Sequence, residues 1–267
     1  MSYITPKEFV SKIIDTGESK VALSTKNTLI SSYIAGAILA LAVAFSITVS
    51  VNTGSTLLGA VLFPVGFIML NLLGLDLLTG VFVMTPLALL NRRPSVTINK
   101  IFRSWILVFF GNFSGALSVA LVISFVMTYG FSIEPNSIGS KMASIGEART
   151  LGYAQYGMSG WITVFISGIL CNWMVSMGIF GSMVSKSVGG KAIAMWMPIM
   201  LFFYMGFEHA VVNMFLFPAA MIMGGGFSVA DFFIWNEIPV LLGNFVGGLL
   251  LTGLPLYALY AKALQER

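Results

Sequence analysis

Between Ser55 and Leu90 the chain carries one charged residue, Asp76, and between Ala192 and Gly226 only the adjacent pair Glu208 and His209 interrupts an apolar run. Runs this long and this apolar leave few folds open. In lipid a helix of about 20 residues satisfies its own backbone, and irregular backbone survives at that depth only inside protein or against a cavity. Each run is too long for one straight span and has a polar centre, so each is expected to cross once, as an interrupted helix. An ionisable pair at membrane depth marks a functional site, and His209 is the only histidine in the chain.

Composition points the same way. Hydrophobic residues make up 57% and charged residues 9%, with a mean hydropathy of +0.93, where a soluble domain carries about a quarter charged residues. The chain is expected to be a polytopic membrane protein without a large soluble domain. Its pI near 9.2 does not imply nucleic acid, because the basic residues follow membrane topology. Cys171, the one cysteine, can close no intrachain disulfide and reads as a small packing residue. No metal-ligand spacing is present and a lone histidine cannot ligate haem in pairs, so no metal or cofactor is expected. The first apolar run begins near Leu29, too late and without a cleavage site for a signal peptide.

In chain order, residues 1–28 form a polar, cytoplasmic, amphipathic segment. Thr5, Pro6 and Glu8 make a helix start with a capping box, and Phe9, Val10, Ile13 and Ile14 share one face until a stop near Gly17. Such a helix is either an interfacial anchor or a movable plug over a pore mouth. A single transmembrane domain follows over 29–262, with a tail at 263–267. Spans are expected at about 29–51, 55–90, 105–129, 161–183, 192–226 and 240–260. An external polar connection runs over 130–158, and a second connection over 227–239 carries Asp231 and Glu237. Six spans place twelve of the fourteen Lys and Arg residues on one side and only Lys141 and Arg149 on the other. That asymmetry makes both termini cytoplasmic.

The halves, about 29–129 and 159–262, resemble each other. Pro64 and Pro86 flank Asp76 and Thr79, and the next span holds Gly111-Asn112-Phe113-Ser114-Gly115. Pro198 and Pro218 flank Glu208 and His209, and the last span holds Gly243-Asn244-Phe245-Val246-Gly247. Thr79 precedes Asn112 by nearly the interval that separates His209 from Asn244. Three spans per half force opposite orientations, giving an inverted repeat whose interrupted helices point to a midplane binding site. The glycines let helices approach closely, while Asn112 and Asn244 are expected to satisfy the broken ends.

Asp76-Leu77-Leu78-Thr79-Gly80, Cys171-Asn172-Trp173-Met174-Val175, Gly206-Phe207-Glu208-His209, Asn213-Met214 and the two Gly-Asn segments resemble the formate/nitrite transporter family. The likeness runs in order over about 30–260 and is greatest to the formate branch over 195–217. It implies a homopentamer of aquaporin-like protomers, each with its own pore. By the same resemblance the central polar pair is Thr79 and His209 with Asn244 beside it. The apolar constrictions are Phe63 and Phe202 on one side and Leu77 and Leu78 on the other, and Asn172, Glu208 and Asn213 match family positions. One position departs: many members carry a lysine just before the fourth span, and this chain has Tyr156 there. That removes the basis for carrying over a lysine that draws the anion inward.

The expected function is passage of a small monovalent weak-acid anion, formate foremost, with nitrite or hydrosulfide as alternatives. A bare anion in an apolar constriction pays heavily for desolvation, and neither over-long run contains Lys or Arg. Proton exchange near His209, whose unperturbed pKa lies near neutrality, would let the neutral acid cross, with protons as the second partner. Glu208 is expected to point away from His209, since adjacent helical residues diverge by about 100°, and to join Asn172 and Asn213 in a buried network. Two other classes compete. A rhomboid-like intramembrane serine protease would pair Ser159 with His209 but lacks a second histidine. A neutral-solute channel would place an arginine at its constriction.

Overall fold

The structure is a computed structural model describing residues 3–265. Met1, Ser2, Glu266 and Arg267 lie outside the described residues, and with them the end of the expected tail. Its regular elements are helices. The first, α1 (Pro6–Ala22), opens on the expected capping box: Glu8 N–H donates to Thr5 Oγ1 at 3.4 Å and Thr5 N–H to Glu8 Oε2 at 2.9 Å. Phe9, Val10, Ile13 and Ile14 are buried, packed on protein rather than spread on lipid. The helix does not stop at Gly17. A Cβ there would lie 2.1 Å from the Met84 carbonyl oxygen, so this glycine serves a close helix contact and not a terminus.

Among the described residues, four helices are long and apolar enough to cross a membrane: α2 (Thr25–Thr53), α6 (Ile98–Met127), α9 (Gly157–Val184) and a composite helix over Val229–Tyr260. Shorter apolar helices fill the two over-long runs. The first run folds as α3 (Thr56–Leu62), α4 (Pro64–Leu72) and α5 (Leu78–Leu90), and the second as α10 (Val188–Tyr204) and α11 (Ala210–Ile222). The breaks beside the polar centres do not fall at prolines. Pro64 opens α4, and Pro86, Pro198 and Pro218 sit inside helices. The chain instead leaves the helix at Gly74 (φ +69°) and Gly206 (φ +70°), a conformation that Cβ disfavours everywhere but at glycine. Matching hydrogen bonds close the two helix ends, Leu75 N–H to Leu70 O and Phe207 N–H to Phe202 O, both at 3.0 Å.

The polar connection at 130–158 is itself largely helical, with α7 (Ser137–Ala148) and α8 (Leu151–Ala154). Asn136 caps α7 by accepting from Ile138 and Gly139 N–H, and its buried face packs on α11 and α2. The expected connection at 227–239 is corrected more sharply. A Ser228/Asp231 capping box starts α12 (Val229–Phe232), a π-helical turn covers Phe233–Glu237, and α13 (Ile238–Gly248) follows without a loop. Pro239 lacks the N–H that a continuous α-helix needs, and the wide turn before it absorbs the mismatch. A second π turn (Leu249–Gly253) leads into α14 (Leu254–Gln265). Helix pairs α2/α6 and α9/α13 touch backbone to backbone: added Cβ atoms at Gly115 and Gly247 would each lie 2.0 Å from a carbonyl oxygen of the partner helix.

Candidate functional site

The two breaks end in half-helices whose first N–H groups need partners. Leu77, the N-cap of α5, supplies no side-chain bond, so the cap comes from α6. Leu78 N–H donates to Asn112 Oδ1 at 3.0 Å, while Asn112 Nδ2 donates to Ser32 O (2.7 Å) and Asp76 O (3.0 Å). The second half repeats this bond for bond. Ala210 N–H donates to Asn244 Oδ1 at 3.0 Å, and Asn244 Nδ2 donates to Gly168 O (2.8 Å) and Glu208 O (3.0 Å). Each asparagine lies 34 residues beyond the N–H it caps. His209 is therefore matched by Leu77, and not by Thr79 as the sequence intervals suggested.

That match places an imidazole in one half where the other has a leucine. His209 caps its own helix, with Nδ1 accepting from Val212 N–H at 3.3 Å, and its Nε2 lies 3.4 Å from Thr79 Oγ1 across the break. A ring nitrogen that accepts carries no hydrogen, so the neutral ring bears its hydrogen on Nε2, facing Thr79. Phe202 stacks on the imidazole at 5.6 Å between ring centroids. Phe63 meets Phe202 edge-on at 5.9 Å and stacks on Phe203 at 3.8 Å. Thr79, His209, Asn244, Phe63 and Phe202 are all buried. Leu77 and Leu78 are buried as well, with Leu78 bordering a cleft beside Phe82 and Trp105.

The carboxylates next to the breaks are held by cations. Asp76 sits 2.7 Å from Lys20 Nζ, which also donates to Gly74 O at 2.7 Å. Glu208 lies 3.1 Å from Arg149 Nη1, and Arg149 Nη2 reaches Gly206 O at 3.5 Å. Around Glu208, Asn213 Nδ2 (3.0 Å), Asn236 Nδ2 (3.3 Å) and the Tyr153 hydroxyl (3.3 Å) donate to its oxygens. Burial, then the Glu208 charge, pushes the Tyr153 phenol up to about 12. Asn172 does not join this network. Its Nδ2 donates to Thr79 O (3.2 Å) and Asn244 O (2.6 Å), tying the two breaks together.

Several of these groups escaped the sequence reading. Phe203, Lys20, Arg149, Asn236 and Tyr153 were not singled out for the site, and Asn236 had been placed in a connection. The apolar runs hold no cation, yet two cations reach their breaks from flanking segments. Arg149 takes the Glu208 partnership, while Tyr156 is exposed. The one available signal was that Arg149 is among the two basic residues on the less basic side. Ser159 is exposed on α9, and the ring nitrogens of His209 are engaged by Thr79 and Val212, so no serine–histidine dyad forms.

A helical chain with long apolar helices and two buried breaks, each capped by an asparagine of another helix, has the make-up of a membrane transporter. The profile of the formate/nitrite transporter family matches residues 7–258, and the chain belongs to that family. It is 32% identical to the uncharacterised transporter YrhG of Bacillus subtilis, covering 100% of this chain and 97% of that one. It is 33% identical to the formate channel FocA of Haemophilus influenzae, over 94% and 92% of the two chains. Among solved structures, a pentameric formate channel with formate bound superposes with a TM-score of 0.72 at 24% identity, covering 89% of this chain and 98% of that one.

Proposed function

We propose that the protein passes a small monovalent weak-acid anion, formate first, across the cytoplasmic membrane through a pore centred on Thr79 and His209. The observation that carries this reading is the 3.4 Å approach of Thr79 Oγ1 to His209 Nε2 where the two broken helices meet, against the rings of Phe63, Phe202 and Phe203. Family membership supports the substrate class, since the Haemophilus relative is named a formate channel. The matched bonds of Asn112 and Asn244 support six spans in two inverted three-helix repeats with an aquaporin-like protomer. The fold likeness to a pentameric channel supports a homopentamer in the lipid bilayer. The charge asymmetry supports cytoplasmic termini, with 1–28 and 263–267 inside and 130–158 outside.

In this reading Phe63 and Phe202 on one side, and Leu77 and Leu78 on the other, select by radius and dewetting. Between them the Nε2–H of His209 and the hydroxyl of Thr79 replace water around the anion. Giving up the Nε2 proton from a neutral ring would leave an imidazolate, so a proton must reach Nδ1 as one leaves Nε2. Nδ1 is free to take it only after releasing Val212 N–H. Proton exchange at His209 is thereby coupled to opening the first turn of α11. Asp76–Lys20 and Glu208–Arg149 hold the break carbonyls, and Asn172 and Asn213 brace the surrounding backbone and carboxylate.

The test is flux in proteoliposomes with formate, nitrite, hydrosulfide, acetate and lactate at several pH values, recording proton movement at the same time. Formate flux accompanied by protons, and excluding lactate, is expected. An equal rate for all five, or for a neutral polyol, would sink the assignment.

A further inference from the structure

A cavity of about 330 Å³ lies among α2, α3, α7, α10 and α11, bordered by Phe203. Phe203 stacks on Phe63, so the cavity abuts the aromatic cluster of the proposed pore, with the Phe203 ring between them. Its size falls in the range of sites that hold organic ligands and exceeds what a one-carbon anion fills.

Its walls are of two kinds. Lys141 and Arg149 both line it, and they are the only two of the fourteen basic residues that the topology places on that side. Arg149 is engaged by Glu208, whereas Lys141 is exposed and has no ion-pair partner among the described residues. Ser46 lines the same space, and its buried hydroxyl has no hydrogen-bond partner among the described residues. A buried donor without a partner is costly, and an anion oxygen beside Lys141 would relieve it. The remaining wall is apolar and includes Phe203, Val212 and Leu216.

We infer that this cavity is a binding site for an amphiphilic monoanion too large for the pore: a carboxylate or sulfonate on a ring-sized apolar body, its charge on Lys141 and Ser46 and its body over Phe203. Bound there, the ligand occludes the pore from that side. The occlusion rests on the transport reading given above; the binding does not.

Benzenesulfonate is a suitable probe, because it keeps its charge at every working pH and does not cross a bilayer. Thermal unfolding of the detergent-solubilised full chain should shift upward with its concentration. In Lys141→Gln the half-effect concentration should rise about tenfold or more, as expected for losing a charge-assisted bond. Leu216→Trp, which fills the apolar end, should also abolish the shift, so the inference does not hang on one variant folding. Formate uptake should be blocked over the same concentration range, with each variant referred to its own unblocked rate. Equal half-effect concentrations in wild type and Lys141→Gln, or no stabilisation of the wild type at tens of millimolar, would overturn the site. Absence of formate flux in the wild type would sink the transport reading while leaving the unfolding test to judge the site.

Discussion

At the scale of single residues, the site is a symmetric frame with one asymmetric substitution. Leu77 and His209 stand at the same N-cap, each beside an asparagine that caps the following N–H. Only the histidine adds a ring nitrogen that reaches Thr79. Replacing His209 by Asn keeps a good capping side chain and removes the ring proposed to exchange the proton. The variant is expected to assemble and to lose the pH dependence of formate flux, whereas Thr79→Val should lower flux without moving the profile. Paired formate and proton fluxes in liposomes check this, and identical profiles for wild type and His209→Asn would remove the ring from the mechanism. The other exposed dependency is Glu208, which is fully buried against Arg149. Arg149→Gln strands that carboxylate and is expected to cost about 3 kcal/mol, read as a lowered unfolding temperature in detergent. Arg149→Lys, which keeps the charge, should recover much of it.

At the scale of elements, the informative contrast is between prolines and glycines. The prolines flank the polar centres in sequence and drew attention to the right regions, but the helices end at Gly74 and Gly206, where the backbone turns left-handed. A proline inside a membrane helix can be accommodated by its neighbours, and Pro86, Pro198 and Pro218 are. The same element-level logic governs Gly17, which permits α1 to lie against α5. The proposed selectivity also belongs to this scale, because the Phe63–Phe202–Phe203 cluster joins the kink between α3 and α4 to the end of α10. Phe202→Ala and Leu78→Ala should each admit lactate while formate still passes, at a stability cost of about 3 kcal/mol from the cavity left behind. Unchanged exclusion of lactate in both variants would take those side chains out of the constriction.

At the scale of the whole molecule, the proposed topology puts α7 outside. Ser140 is exposed on that helix, and Cys171 is buried. In a Cys171→Ser background, Ser140→Cys should react with an impermeant maleimide added to intact cells. Reaction only after permeabilisation would overturn the assignment of sides. The sequence alone determined that the chain is membrane-embedded, where its apolar runs lie, that two of them carry polar centres, and which family motifs they contain. Those properties are written in hydropathy, charge asymmetry and local spacing, and each can be read along one dimension. Only the tertiary structure decided that Leu77 rather than Thr79 is the counterpart of His209, that Lys20 and Arg149 hold Asp76 and Glu208, that Asn172 ties the two breaks together, and that 229–239 is helix. Each depends on which groups meet across more than twenty residues or on where a strained backbone finds its partners. Burial makes those pairings obligatory, but it does not write the partner's position into the local sequence.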